Sequence, residues 1–291
     1  MINPLPEADG PTPPAKTVTG KEDQRPLVIA ANLTSDVYTE ENPPMDWADM
    51  CLLMPHEAIR SQMTMMVQSA AALPDDPSAN EAWKVTLFAK WYIDYFFVSV
   101  NEHHDAEEEI FFPWIKTRTP YPERLFSKCH EELISTMKQM KMACESICRN
   151  GGKNCTADIS LLKNTIPTFV RDMRSHLQEE EESIPALMRS HFTEEEENKT
   201  VDKILKAGGL ALTKTFLPAI LLSMQLWMTP ESYDEFCKSL PMPIKHLTFK
   251  YYLPDFENVV IPMRDAPTLT KEPKLKKVGC FGIAFCFPCI L

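Results

Sequence analysis

The sequence predicts an all-α protein: an up-down four-helix bundle followed by additional C-terminal helices. From about residue 45, apolar residues recur at the spacing of one helix face. Glycine is absent between Gly20 and Gly151, and such stretches suit helices because glycine costs about 1 kcal/mol relative to alanine in a helix interior. The periodic segments are joined by short connections, which favour antiparallel neighbours.

Four regions follow from composition along the chain. Residues 1–44, rich in proline, threonine and charge, predict a disordered or loosely attached leader. Residues 45–192 predict the bundle, residues 193–265 a helical extension, and residues 266–291 a basic, cysteine-containing tail. The bundle helices are separated by three breaks rich in turn-forming residues, at 73–79, 117–122 and 150–157.

The extension contains two apolar stretches, Leu210–Leu226 and Leu247–Val260. The first predicts a helix packed on the bundle, and Pro218 is expected to kink or start it, because proline lacks a backbone N–H and fixes φ.

Composition narrows the partners and the compartment. A net charge of -11 argues against non-specific binding to nucleic acid. The first 26 residues lack the apolar core of a secretory signal, and no stretch of 18 apolar residues predicts a membrane span. Nine cysteines without a signal are typical of reduced thiols. The expected location is therefore cytoplasmic.

Each predicted bundle helix carries one histidine in its apolar stripe. On the first helix, Ile59 and Met63 follow His56 at +3 and +7, so the imidazole faces the predicted core. The same holds on the other three helices, and the four positions are His56, His104, His130 and His176. One such histidine is usually an ordinary core residue, but its repetition on four helices favours a shared centre.

Two carboxylates join these histidines. Glu108 follows His104 by four residues and Glu180 follows His176 by four, which places each pair on one helix face. Burying such groups in an apolar core without partners would cost several kcal/mol. A metal centre removes that cost, and nitrogen and oxygen ligands without thiolate suit iron, manganese or zinc.

The stretch 103–113 (HHDAEEEIFFP) resembles the cation-binding motif of hemerythrin-like (HHE) domains, and 176–185 (HLQEEEESIP) resembles the second motif of that family. The segments around His56 and His130 are similar to its shorter signatures, so the resemblance covers roughly residues 45–190. It implies a non-heme di-iron centre that binds or senses dioxygen, nitric oxide or iron. The implied iron ligands are His56, His104, His130 and His176, with Glu108 and Glu180 bridging.

Three points stay open within that resemblance. His103 and Glu107 form a second i,i+4 pair, but the frame of His104 and Glu108 is preferred because it leads directly into the following apolar residues, as in the family. Glu181 is an alternative to Glu180, because oxygen-carrying members use a +5 spacing there. Those carriers also have two histidines on the third helix, where this chain has one. That departure favours iron- or redox-sensing relatives over reversible oxygen carriage.

Other classes fit less well. A ferritin-like di-iron protein requires Glu-x-x-His and a zinc protease requires His-Glu-x-x-His, and neither pattern occurs in the sequence. Two alternatives remain: a di-iron oxidase or peroxidase, and a membrane-tethered interaction protein with a structural metal. Whether the protein is an enzyme is therefore left open.

The tail combines a basic patch with an apolar, cysteine-containing end. Its lysines are Lys271, Lys274, Lys276 and Lys277, and its cysteines are Cys280, Cys286 and Cys289. Cysteine stands third from the end, not fourth as a prenylation box requires. The favoured interpretation is that these cysteines are acylated beside the basic patch, which predicts membrane association through the tail.

Overall fold

The computed structural model describes residues 28–119 and 123–276, without the side chains of residues 123–128, 210 and 211. The helices are α1 Trp47–Ala71, α2 Ala82–Trp91, α3 Phe97–Ala106, α4 Phe112–Lys116, α5 Glu123–Arg149, α6 Thr156–His191, α7 Glu194–Thr215, α8 Leu217–Trp227, α9 Pro230–Ser239, α10 Met242–Leu247, α11 Leu253–Asp255 and α12 Ile261–Arg264. Within these residues the fold is all-α, which confirms the predicted class.

Four helical rods form the bundle: α1, the continuous α2–α3–α4 rod, α5 and α6. α6 packs against both α1 and α5, and α5 packs against α2. The predicted breaks at 73–79 and 150–157 lie between rods, except that α6 already begins at Thr156. The break at 117–122 begins directly after α4, and its residues 120–122 lie outside the described part of the chain. The first rod begins where the Asp46 side chain accepts a hydrogen bond from the Ala48 N–H at 3.0 Å, which satisfies a donor that the helix itself leaves unpaired.

Two π-helical turns interrupt the second rod, at Tyr92–Phe96 and Glu107–Phe111. A π turn inserts one extra residue into the helical repeat, so it rotates everything that follows relative to everything before it. The second of these turns starts at Glu107, and it therefore changes which side chains face the bundle interior.

A polar layer crosses the bundle between two apolar layers. On one side lies the main core, which includes Ile59, Val100 and Phe169. On the other side lies a smaller cluster that includes Phe112 and Ile184. Each fully buried side chain of this size contributes roughly 1.5–3 kcal/mol, so the two apolar layers hold the polar layer between them in a fixed geometry.

Residues 28–44 lie within the predicted leader, but in the structure they are attached to the bundle. Tyr38 is buried and its hydroxyl donates to Asp49 at 3.0 Å. Val28 forms an isolated antiparallel bridge with Met228 of the extension. The apolar and hydroxyl side chains scattered through this proline-containing segment find partners only in the folded protein. Residues 1–27 lie outside the described part of the chain.

The extension packs on the bundle through α7 and α8, which contact α3 and α1 respectively. The apolar stretch predicted as one helix is divided at Phe216, and α8 starts at Leu217 with Pro218 in its first turn. Within α7, Gly209 adopts φ 54°, a left-handed conformation that favours glycine and kinks the helix. None of the described helices is long and apolar enough to span a membrane.

The first turn of α7 contains two glutamates with opposite environments. The guanidinium of Arg118 and the cap contacts of Thr193 lower the pKa of the partly exposed Glu196 to about 2. Burial raises the pKa of its neighbour Glu197 to about 7, although a hydrogen bond from the Cys51 thiol opposes the shift.

This contrast predicts a pH-dependent stability. Between pH 4.5 and 7 the folded chain holds the Glu197 proton more tightly than the unfolded chain, so this group lowers the free energy of unfolding as pH rises through that window. Relative to the wild type, Glu197→Gln should therefore gain stability from pH 5 to pH 8, measured by chemical denaturation. Glu196→Gln, the matched control, should lose stability at both pH values. A Glu197→Gln difference that does not vary with pH would contradict the assignment.

Candidate metal centre

The polar layer consists of eight buried titratable side chains on four rods. Each is at most 7% exposed. They are His56 from α1, His103, His104 and Glu107 from the second rod, His130 from α5, and His176, Glu180 and Glu181 from α6. Phe112 closes one side, with its ring stacked on that of His130 at a centroid distance of 5.8 Å.

The five imidazoles form two groups. The ring of His56 meets the ring of His103 edge to face at 5.3 Å. The ring of His104 stacks on His130 at 4.3 Å, and the Nε2 atoms of His130 and His176 are 2.8 Å apart. The ligand atoms of His104, His130 and His176 all lie within 4.8 Å of one another, as do those of His56, His103 and Glu107.

Two carboxylates lie between the histidine groups. Oε1 of Glu107 is 3.3 Å from Nε2 of His103, and its other oxygen is 3.6 Å from Nε2 of His130. Oε2 of Glu180 is 3.4 Å from Nε2 of His56, while its Oε1 is 3.6 Å from Nε2 of His130. Each carboxylate therefore reaches both groups, which is the arrangement of a bridging ligand for two metal ions.

The donor set passes a direct test of fit to metal. Nε2 of His56, Nε2 of His103 and all four carboxylate oxygens of Glu107 and Glu180 are buried, and they have no hydrogen-bond partner among the described residues. Buried polar atoms are normally paired, because leaving one unpaired costs about 1–3 kcal/mol. Metal coordination would satisfy these atoms together, and their nitrogen and oxygen chemistry suits iron, manganese or zinc.

The pKa values of the two carboxylates between the histidine groups are shifted in opposite directions. Burial would raise the pKa of Glu107, but the surrounding imidazoles of His103, His56 and His130 lower it well below its usual range. Burial and the charge of Glu107 raise the pKa of Glu180. Two like charges at this spacing are not both accommodated without a compensating positive charge, and cations between them would supply it.

The pKa values of the imidazoles are also shifted in opposite directions. Burial lowers the pKa of His56, but the carboxylates of Glu107 and Glu181 outweigh it and raise the value to about 9. Burial is likewise outweighed at His130, where Glu180 and Glu107 raise the pKa to about 9. At His103 and His176, burial dominates and lowers the pKa to about 4 and about 3 respectively.

Two further carboxylates hold the outer nitrogens of two imidazoles. Oε1 of Glu181 is 2.9 Å from Nδ1 of His56, and Oε1 of Glu108 is 2.8 Å from Nδ1 of His130. A carboxylate at Nδ1 fixes the tautomer and the ring orientation, so that Nε2 is presented to a metal. In this structure Glu181 and Glu108 are therefore suited to orienting the ligands rather than to coordinating metal.

Glu181 is itself held by a network that extends to the N-terminal segment. Nη1 and Nη2 of the buried Arg60 donate to its two oxygens at 2.7 and 3.0 Å. The hydroxyl of Ser35 donates to Oε2 at 2.6 Å. Burial is outweighed by the positive charges of His56 and Arg60, which lower the pKa of Glu181 to about 2. The carboxylate therefore stays charged behind His56.

Five of the six residues singled out from sequence lie in the cluster: His56, His104, His130, His176 and Glu180. The sixth, Glu108, lies at its edge with a side chain 37% exposed. Glu107 occupies the inner position that the sequence frame gave to Glu108, and His103 adds a fifth imidazole.

The π turn explains this difference. The frame of His104 and Glu108 was preferred because it leads into the apolar residues that follow. The turn at Glu107–Phe111 adds one residue to the helical repeat between the histidines and the apolar residues that follow them. The face on which those apolar residues lie therefore does not show which face the preceding residues occupy. Only the second i,i+4 pair, His103 and Glu107, was visible in the sequence as a signal.

The fold and the site together define the class of protein, which is a four-helix bundle with a histidine–carboxylate cluster suited to metal in its core. Residues 52–187 match the family model described as the hemerythrin HHE cation binding domain, and the match includes every residue of the cluster. The protein therefore contains a hemerythrin-like HHE cation-binding domain, and metal binding follows from the family and the donor set together. No curated protein and no solved structure matches the chain.

The geometry predicts that Glu107 and Glu108 respond differently to the same substitution. Glu107→Gln removes the negative charge and one oxygen of the carboxylate that lies between the two histidine groups, so we expect fewer than one metal per chain after reconstitution. Glu108→Gln alters only a partner of His130 Nδ1, so we expect full occupancy with affinity reduced about 10- to 100-fold. Metal analysis with chelator titration, at helicity matched by circular dichroism, distinguishes them. Full occupancy in Glu107→Gln would show that Glu107 is not a ligand.

Proposed function

We propose that the protein holds a non-heme di-iron centre and uses it to bind or sense dioxygen or another diatomic molecule. The observation that carries the proposal is the pair of buried histidine groups joined by Glu107 and Glu180. Five imidazoles and two carboxylates are a nitrogen- and oxygen-rich set without thiolate, which suits iron. A bound iron pair supplies redox change and coordination positions for a small ligand.

The two halves of the donor set are unequal, which supports a role in small-molecule binding. His104, His130 and His176 give one half three imidazoles, whereas His56 and His103 give the other half two. With the same two carboxylates shared between them, the half at His56 and His103 has fewer protein ligands. A site that keeps a coordination position free is the kind that accepts an exogenous molecule, as catalytic metal sites do.

The protein groups around this half favour a neutral ligand. Arg60 and Glu181 fix His56 from behind, so its ring does not swing away when the opposite face is occupied. The layers on either side are apolar and exclude water. Both features suit binding or sensing. Turnover with peroxide would instead favour the oxidase or peroxidase alternative.

The first test of this function is metal content. We expect about two irons per chain after anaerobic reconstitution, with an absorption spectrum that changes on admission of air. His176→Ala should lower the iron content, because it removes an imidazole from the three-histidine half. His191→Ala, an exposed histidine on the same helix, is the matched control and should retain two irons. One zinc per chain, with no iron uptake under reducing conditions, would refute the di-iron centre.

A second proposal concerns the tail. Lys271, Lys274 and Lys276 are exposed at the end of the described residues, which supports an electrostatic contribution to binding an anionic membrane surface. The remaining lysine and the three cysteines lie outside the described part of the chain. One acyl chain anchors marginally, but a chain with a basic patch holds stably.

Acylation predicts that the full-length protein fractionates with membranes in its native cell and is released by hydroxylamine. Truncation after Thr270, which keeps the packed turn Ala266–Thr268, should release it without changing its iron content. Replacement of Cys280, Cys286 and Cys289 by serine separates loss of the acyl chains from loss of the lysines. Free thiols at all three positions, in protein found wholly in the soluble fraction, would contradict the anchor.

A further inference from the structure

A narrow pocket lies between the bundle and the extension, on the His56 and His103 side of the metal centre. Its bundle wall includes Ile59 and Val100, and its outer wall includes Phe216, Ala219 and Phe256 of the extension. Gln62, Ser99 and Thr215 also line the pocket, but its exposed surface is almost entirely apolar and no lining residue carries a formal charge. The pocket has about 10 Å³ of space for the centre of a water-sized molecule, which is room for one small molecule.

The pocket lies next to the candidate ligands, which both the spacing of its lining residues and a ring contact indicate. Ile59 follows His56 by three residues, and Val100 precedes His103 by three, so each lies one helical turn from a candidate ligand on the same face. The ring of Phe216 contacts the ring of His103 at a centroid distance of 6.1 Å, and the same phenyl ring lines the pocket. Phe216 therefore contacts both the pocket and a candidate ligand of the centre.

From this arrangement we infer that the pocket holds dioxygen on its way to the two-histidine half of the centre, with Phe216 controlling passage. This inference rests on the proposed function and adds a role for the extension, which lies outside the matched family residues. Narrow apolar cavities stay dry and accept small neutral molecules such as xenon, because water finds no polar partners there. An anion or a polar substrate would find no charge in this pocket to pair with.

The position of Phe216 in the chain connects it to the packing of the extension. It occupies the junction between α7 and α8, where the apolar stretch is divided, and is 4% exposed. Its side chain packs in the main apolar core and contacts His103, whereas its backbone belongs to the extension, whose α7 and α8 pack on α3 and α1. A change in that packing would alter access to the centre without altering a candidate metal ligand.

The test has two arms on the full-length chain. In the first, methyl NMR under xenon pressure monitors Ile59 and Val100 in metal-free protein. We expect saturable shifts of both methyl signals in the wild type, lost in Ala219→Phe, which fills the pocket. In the second arm, reduced iron-loaded protein is mixed with dioxygen and the absorption change is timed. Phe216→Ala should react at least five-fold faster than the wild type, and Ala219→Phe should react more slowly.

Phe192→Ala is the matched control. Phe192 is similarly buried, at 6% exposure, and lies at the junction between α6 and α7, but it does not line the pocket. The Phe192→Ala variant should bind xenon and react with dioxygen as the wild type does. Absence of xenon shifts in the wild type, or equal rates in Phe216→Ala and Phe192→Ala, would overturn the inference. Failure of the di-iron function is separately visible, as lack of iron uptake or oxygen reaction in the wild type despite xenon binding.

Discussion

Three carboxylates and five imidazoles lie within one layer of an otherwise apolar bundle, and the free energy of burying them is the constraint on which the structure depends. Each ion taken from water costs several kcal/mol unless it is paired and hydrogen-bonded. The protein supplies such pairing at Glu181, through Arg60, His56 and Ser35. Among the described residues, no hydrogen-bond donor reaches the oxygens of Glu107 and Glu180, and metal cations at this position would complete the layer.

Segments outside the matched family residues support this layer. The N-terminal segment reaches Glu181 through Ser35, and the N–H of Thr34 donates to the buried Glu57 at 2.9 Å. On another side, the extension places Phe216 against His103. The hemerythrin-like domain therefore does not determine the surroundings of its own centre. Residues from both ends of the described chain contribute to how His56 is oriented and how His103 is approached.

Much of the site was predictable because helical periodicity is a local property. His56, His130, His176 and Glu180 each lie on a regular helix, where spacing alone places them in the core. His104 was also placed inside, since the phase of its helix is set by the residues before it. Periodicity could not decide which of Glu107 and Glu108 faces the centre, because the π turn that starts at Glu107 depends on packing against neighbouring rods.

The helical class, the four rods, the breaks between them and the face on which most of the candidate ligands lie could all be predicted from the sequence. These follow from residue periodicity and turn chemistry, which act over a few residues. Tertiary structure decided that His103 and His104 both face the centre, that Glu181 and Glu108 orient imidazoles, and that residues 28–44 are attached. Those outcomes depend on distances between residues far apart in the chain. Such distances exist only once the apolar layers have packed and fixed the rods relative to one another.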